Sequence, residues 1–359
     1  MRLAVPLAMT VPAQVRAAEG SLARLASKKG IYFGSAARIQ ELLQEDDLRN
    51  AIVRECACLT PEVEMSWNAI ERVPARFNFN GMDALLAFAG KQGKQVHGHT
   101  LLWHGSVPDW AAEALQAKRG WEAVQGYLKA VFGRYRGVIG QWNVVNEPIE
   151  TGYRTDGLRT SVFLKAFGPD YIPRALAEAR QLAPKAKLLI NEFSLEYGVR
   201  TDRDRRFHFL KLLESLKRAG APLDGVGLQA HLDLAKGPLA AGPYSRFLRD
   251  IAEFGLFIVV TELDVKEYDY ILPAEARDQR VADATQQYLE VLLAEPAVRG
   301  LSTWGLSDRH SWLQVTPEDF ARYPNAWRDG TSPGVNRGLP FDSSMRRKPM
   351  YEAIARALA

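Results

Sequence analysis

Short apolar runs rich in β-branched residues recur along the chain, at Ile31 to Gly34, Leu59 to Val63, Gln95 to His99, Gln141 to Asn146, Leu188 to Asn191, Gly225 to Gln229, Phe257 to Glu262 and Gly300 to Gly305. Runs of this kind suit parallel strands covered on both faces. The segments between them carry apolar residues at helical spacing, as in Met82 to Ala89, Trp121 to Phe132, Phe207 to Leu216 and Ala282 to Leu293. Eight such strand-and-helix units predict an α/β fold, a single-domain (β/α)8 TIM barrel. An open doubly wound sheet is the competing architecture, but no Gly-rich phosphate turn follows the first strand, and no linker or internal repeat marks a second domain.

Length and composition agree with that pattern. A chain of 359 residues with 47% hydrophobic and 25% charged residues can bury one large core. The net charge of +4 is scattered, apart from a basic patch at Arg346, Arg347 and Lys348 that reads as solvated surface rather than as a nucleic-acid site. No run is long enough to span a bilayer. Cys56 and Cys58 are too close for a favourable disulfide and have no companion zinc ligands, so they read as buried small apolar groups. Residues 1–25 combine an apolar run from Leu3 to Ala13, interrupted by Pro6 and Pro12, with a small-residue step at Val15 to Ala18. That is expected to be a leader directing the protein to secretion or the periplasm, with a loose N-terminus in the cytoplasm as the alternative, and the barrel is expected over 26–359.

The chemically capable residues gather at the C-terminal ends of the strands, where barrel active sites lie. They are Glu62, His99, Asn146 with Glu147, Glu192, Gln229 with His231, Glu262, and Trp304. In Trp142-Asn143-Val144-Val145-Asn146-Glu147-Pro148 a carboxylate follows an apolar strand, where desolvation is expected to raise its pKa and fit it for general-acid work. Val259-Val260-Thr261-Glu262-Leu263-Asp264 supplies a second carboxylate, and glycoside hydrolysis needs such a pair flanking the scissile bond. Gln229 and His231, two apart, are expected to point the same way and to bond the neighbouring carboxylate. His97, His99 and His104 admit a metal reading. Trp103 and Trp110 in the same segment, with Trp304 and Trp312 around the eighth strand, instead suit sugars, whose faces are apolar and whose edges are hydroxyls.

These motifs resemble glycoside hydrolase family 10, the endo-β-1,4-xylanase family, from about Ile31 to Tyr351. The resemblance rests on His97-Gly98-His99-Thr100-Leu101-Leu102-Trp103-His104, Asn146-Glu147-Pro148, Gln229-Ala230-His231, Thr261-Glu262-Leu263-Asp264, Thr303-Trp304 through Asp308, and Lys348-Pro349-Met350-Tyr351. It implies a retaining double displacement without cofactor or metal, with Glu147 as acid/base and Glu262 as nucleophile, their carboxyls about 5 to 5.5 Å apart. It further implies that Asn146 holds the sugar 2-hydroxyl and that His231 and Asp264 orient Glu262. Glu62, His99, Trp103, Gln229, Trp304 and Trp312 would line the sugar sites. The expected partner is a β-1,4-linked polysaccharide, xylan or a related hexose-containing glycan, and the expected state is a monomer. A carbohydrate-binding barrel without activity and a metal-dependent sugar isomerase are the readings from other classes.

The chain departs from the family on the glycone side, the non-reducing side of the cleaved bond. Val63 stands where the family usually has Asn, Ser66 where it has Lys, and Ser106 where it has Gln. Lost hydrogen bonds and added space there predict weaker gripping of xylose. The long segment Leu313 to Arg337, with Phe320, Tyr323 and Trp327, could refill the pocket.

Overall fold

The computed structural model describes residues 20–269, 272–314 and 336–359. Most of the expected leader, and most of the segment holding Phe320, Tyr323 and Trp327, lie outside them. Eight parallel strands form the barrel: β1 (Tyr32–Ala37), β2 (Cys58–Pro61), β3 (Gln95–Gly98), β5 (Gln141–Asn146), β6 (Lys187–Glu192), β7 (Gly225–Leu228), β9 (Phe257–Lys266) and β10 (Val298–Thr303). β10 pairs with β1 from Tyr32↔Gly300 to Ser35↔Thr303 and closes the cylinder. Two short strands sit at the rim: β4 (Leu102–Trp103) against β5, and β8 (His231–Asp233) against β9. All the expected runs are strands, and β9 extends four residues beyond Glu262 because β8 pairs with that extension.

Alternation along each strand sorts side chains between two cores. In β6, Leu188 and Ile190 join the apolar layer beneath the helices, whereas Asn191 faces the barrel interior and bonds to other strands. The helical patterns fall within Asn80–Lys91, Trp121–Tyr135, Arg200–Arg218 and Ala274–Leu292, except that Leu293, the last residue of the fourth pattern, caps its helix. The first helix, Leu22–Lys28, begins inside the segment expected to be a leader, because its buried Leu22 and Ala26 pack into the common core beside the C-terminal helix Pro349–Leu358. Among the described residues no helix is long and apolar enough to cross a membrane.

Two readings of surface and core are resolved here. Cys56 and Cys58 are free and buried. The basic patch is not all surface: Lys348 is buried and bonds Asp308 at 2.7 Å, while Arg346 holds Asp342 and Arg347 holds Glu55. A carboxylate as deeply buried as Asp308 is stabilised by a paired cation, so Lys348 ties the start of the C-terminal helix to the turn that follows β10.

Candidate active site

The two candidate carboxylates arise from irregular strands. In β9, Val260 pairs with Leu301 and Leu263 with Thr303, so three steps on one strand oppose two on the other. This bulge lets the consecutive residues Thr261 and Glu262 both reach Asn191 inside the barrel. β5 carries a second bulge between Asn143 and Val145, and Asn143 and Asn146 therefore both turn inward despite their odd spacing. Gly227 on β7 leaves the room that Asn191 and Thr261 need, since a Cβ there would sit 2.1 Å from Asn191 Oδ1.

Glu147 follows β5 with φ +55°, a left-handed conformation that costs a non-glycine residue about 1–3 kcal/mol unless its surroundings fix it. They do: its N–H donates to Asn191 O (2.8 Å) and its carbonyl accepts from Arg159 Nε (2.8 Å). Arg159 and Arg205 both donate to Ile149 O, and Glu192 accepts from Ile149 N. The loop after β5 is thus held at each polar backbone group from Glu147 to Ile149.

The two carboxylates receive different partners. Glu147 Oε1 accepts from two neutral amides, Asn146 Nδ2 and Gln229 Nε2, each at 3.2 Å. Its Oε2 faces His104 Nε2 at 4.0 Å, and His104 is uncharged because burial, reinforced by Arg159, lowers its pKa. Glu262 is buried on all sides. Its Oε1 accepts from Asn191 Nδ2 (2.7 Å) and its Oε2 from His231 Nε2 (3.2 Å). Burial alone would raise its pKa, but the hydrogen bond and charge of His231, with the hydrogen bond of Asn191, hold it below the usual carboxylate value.

His231 is the cation of the site. Burial disfavours its charge, yet Asp264 and Glu262 on either side push its pKa up to about 10, so both ring nitrogens carry protons at neutral pH. Nδ1 donates to Asp264 Oδ1 at 2.8 Å, and Asp264 Oδ2 accepts from Trp312 Nε1 at 2.6 Å. Trp312 is half exposed and lies 5.1 Å from the His231 ring, so it is a wall of the cleft and not core.

His99 stands edge-on to Trp304, 5.2 Å between ring centres, and its Nδ1 lies 2.9 Å from Asn143 Nδ2. With the amide donating, the ring proton sits on Nε2. Burial lowers the pKa of His99, so its 3.9 Å approach to Glu262 joins a neutral ring to a carboxylate. His97 bonds Gln141 and His104 faces Glu147, and no metal-binding group of these side chains forms among the described residues.

Gln229 and His231 do converge on the carboxylates, but not by strand alternation. Ala230 has φ +60° and breaks the strand, which sends Gln229 to Glu147 and His231 to Glu262. Glu192 does not join the site. It ends β6 on the face opposite Asn191, where it bonds Arg205 at 3.0 Å, and burial pushes its pKa to about 7 against the opposing pull of that arginine. Asn191 takes the place expected of it, donating to both Asn146 Oδ1 (2.8 Å) and Glu262 Oε1. Asn143 was likewise not anticipated. Asn191 stands one residue before its strand end and Asn143 in mid-strand, and a polar residue inside an apolar strand is the signal that could have found them.

The residues expected on the glycone side are engaged with one another and with their own backbone. Glu62 is engaged by Arg38, Nη2 to Oε1 at 2.5 Å, and Arg38 also reaches Glu41. Ser66 spends its hydroxyl on its own backbone, donating to Val63 O and capping the helix Trp67–Ile70 through Ala69 N. Trp103 pairs in register with Asn146, and Ser106 lies in the turn His104–Ser106 that follows it.

A closed (β/α)8 barrel that carries one carboxylate just after its fourth strand and one on its seventh, with Asn191 bonding the carboxyl of Glu262 and the backbone of Glu147, has the architecture of a barrel glycoside hydrolase. Residues 21–357 match glycosyl hydrolase family 10, and the chain belongs to that family. It is 31% identical to endo-1,4-beta-xylanase A of Fusarium oxysporum f. sp. lycopersici, over 93% of this chain and 97% of that protein. It is 30% identical to endo-1,4-beta-xylanase B of Thermotoga neapolitana, over 92% of this chain and 89% of that protein. Among solved structures, native xylanase 10B from Thermotoga maritima superposes with a TM-score of 0.80 at 30% identity, covering 94% of this chain and 98% of that one.

Proposed function

We propose that the protein is a retaining endo-1,4-β-xylanase in which Glu262 is the nucleophile and Glu147 the acid/base. The supporting observation is the asymmetry of the pair: a cation and an amide hold Glu262 ionised, whereas among the described residues only neutral groups touch the carboxyl of Glu147. In the first step a Glu262 oxygen attacks the anomeric carbon, the glycosidic C–O bond breaks, and Glu147 gives its proton to the departing sugar oxygen. In the second step water attacks the same carbon, Glu147 takes its proton, and Glu262 leaves as carboxylate. Glu147 Oε1 already accepts two amide hydrogens, so Oε2 is the oxygen that carries the proton. Asn146, held by Asn191, takes the sugar 2-hydroxyl as oxocarbenium character develops. Gln229, His99, Trp103, Trp304 and Trp312 line the cleft, and Glu62 binds sugar together with Arg38.

The test compares wild type, Glu262→Ala and Glu147→Ala on xylan and on aryl β-xylobiosides. Glu262→Ala should be inactive on every substrate. Glu147→Ala should fail on xylan yet keep activity on aryl glycosides whose leaving groups need no proton. Proton NMR of the first-formed product should show the β-anomer. Wild-type rates on xylan for either variant, or an α-product, would overturn the assignment.

A further inference from the structure

Beside the rewritten glycone side lies an open pocket of about 380 Å³, bounded by Val63, Ser66, Asn68, Arg72, Arg76 and Asn78 among others. Its volume falls within the range of small-molecule sites. None of its lining residues is acidic. Val63 and Ser66 are the positions where the family's Asn and Lys are replaced, so the pocket begins where the usual xylose contacts are missing.

The state of its two arginines distinguishes this pocket from the surrounding surface. Nearby, Arg38 is held by Glu62 and Glu41, and Arg134 forks onto Asp83. Arg72 and Arg76 are exposed and engage no carboxylate, carbonyl or ring among the described residues. The backbone beneath them is nonetheless fixed. Buried Glu71 accepts from Trp67 Nε1 (3.0 Å) and Ala75 N (2.9 Å), and its carbonyl accepts from Trp110 Nε1 (3.0 Å). Val73 and Arg76 form a bridge, and Asn78 N returns to Ile70 O at 2.7 Å. A rigid turn therefore presents two guanidinium groups, unpaired among the described residues, over a pocket with amide side chains at its edge.

Planar guanidinium donors match the two oxygens of a carboxylate. Building on the xylanase reading, we propose that this pocket binds a carboxylate-bearing sugar, a uronate, on the glycone side of the cleaved bond, with Arg72 and Arg76 as its anchors and Asn68 and Asn78 serving its hydroxyls. The uronate is borne as a branch or as a main-chain unit; the recognition chemistry is the same. On this view the substitutions at Val63 and Ser66 exchange a grip on xylose for access to a charged sugar.

The experiment measures kcat/KM of wild type and the Arg72→Gln/Arg76→Gln double variant on three xylo-oligosaccharides: unbranched, glucuronate-branched, and the methyl ester of the branched compound. The acid should exceed the ester by about tenfold in wild type at low salt, a preference of about 1.4 kcal/mol that shrinks as salt rises. In the double variant the preference should vanish while the rate on the unbranched oligosaccharide stays unchanged. Equal rates on acid and ester in wild type, or a preference that survives in the double variant, overturn the proposal. If no oligosaccharide is cleaved, the xylanase reading fails by itself, and the pocket is judged by calorimetric binding of acid and ester to Glu262→Ala with and without the two arginine substitutions. Tighter binding of acid that depends on the arginines supports the proposal, and equal binding refutes it. A linear oligouronide bound as tightly as the branched acid assigns the carboxylate to the main chain; weaker binding assigns it to a branch.

Discussion

Replacing Asn191 with alanine should damage the reaction out of proportion to the size of the change. Asn191 Nδ2 donates to Glu262 Oε1 at 2.7 Å and to Asn146 Oδ1 at 2.8 Å, and Thr261 Oγ1 donates to its carbonyl at 2.8 Å. Without it, among the described residues, the hydrogen bonds left are a 3.5 Å one from Thr261 to Glu262 Oε1 and a 3.5 Å one from Gln229 to Asn146 Oδ1. A hydrogen bond to a charged group is worth roughly 1.5–3 kcal/mol, which predicts a fall in kcat/KM of roughly 10- to 150-fold. The pH profile gives an independent reading. Asn191 is one of the groups that lower the pKa of Glu262, so removing it raises that pKa, and the acid limb of kcat/KM should move to higher pH. Asn191→Asp should shift it further, because two carboxylates at this separation share one proton. The assay is kcat/KM against pH on an aryl β-xylobioside, with thermal unfolding run alongside to confirm that the variants fold. A rate within twofold of wild type and an unmoved acid limb in Asn191→Ala would refute the role given to this residue.

Two further predictions concern the charged groups around the site. His231 has a folded pKa of about 10 against an ordinary 6.5, so its contribution to stability is fully present below about 6.5 and is lost as pH rises towards 10. Urea midpoints should fall across that window in wild type and fall less in His231→Gln. Arg205→Met leaves Glu192 buried without its cation and should cost about 3–5 kcal/mol in urea denaturation at pH 8. Because Glu192 can escape by taking up a proton, the deficit should be smaller at pH 5; an equal deficit at both pH values would show that the pair carries little charge.

The strands, their order and both carboxylates could be read from the sequence because each rests on a local signal: an apolar run, then a turn, then a carboxylate. What escaped depends on register. Glu192 looked like a site residue because it ends a strand, but which of Asn191 and Glu192 faces inward is fixed by pairing with β5 and β7. The bulges in β5 and β9 have no mark in composition, yet they allow Asn143 with Asn146, and Thr261 with Glu262, to face inward together. Period-two spacing gave the right destination for Gln229 and His231 for the wrong reason, since Ala230 leaves the strand conformation. The capture of Glu62 by Arg38 joins residues on neighbouring strand ends, and no motif announces it.

The neutral and charged partners of the two carboxylates answer a requirement of the roles proposed for them, Glu262 as nucleophile and Glu147 as acid/base. Glu262 must be an anion whenever substrate arrives, so a fixed cation beside it is an advantage, and Asp264 keeps His231 charged without competing for the substrate because its second oxygen is tied to Trp312. Glu147 must hold a proton in one step and remove one in the next. A lysine or arginine against its carboxyl would hold it in one state. The structure places a guanidinium on the backbone instead: Arg159 grips the carbonyl of Glu147, fixing where the residue stands while leaving its carboxyl to the amides. Moving that positive charge from the main chain to the side chain should therefore slow both steps even though the carboxylate itself is untouched.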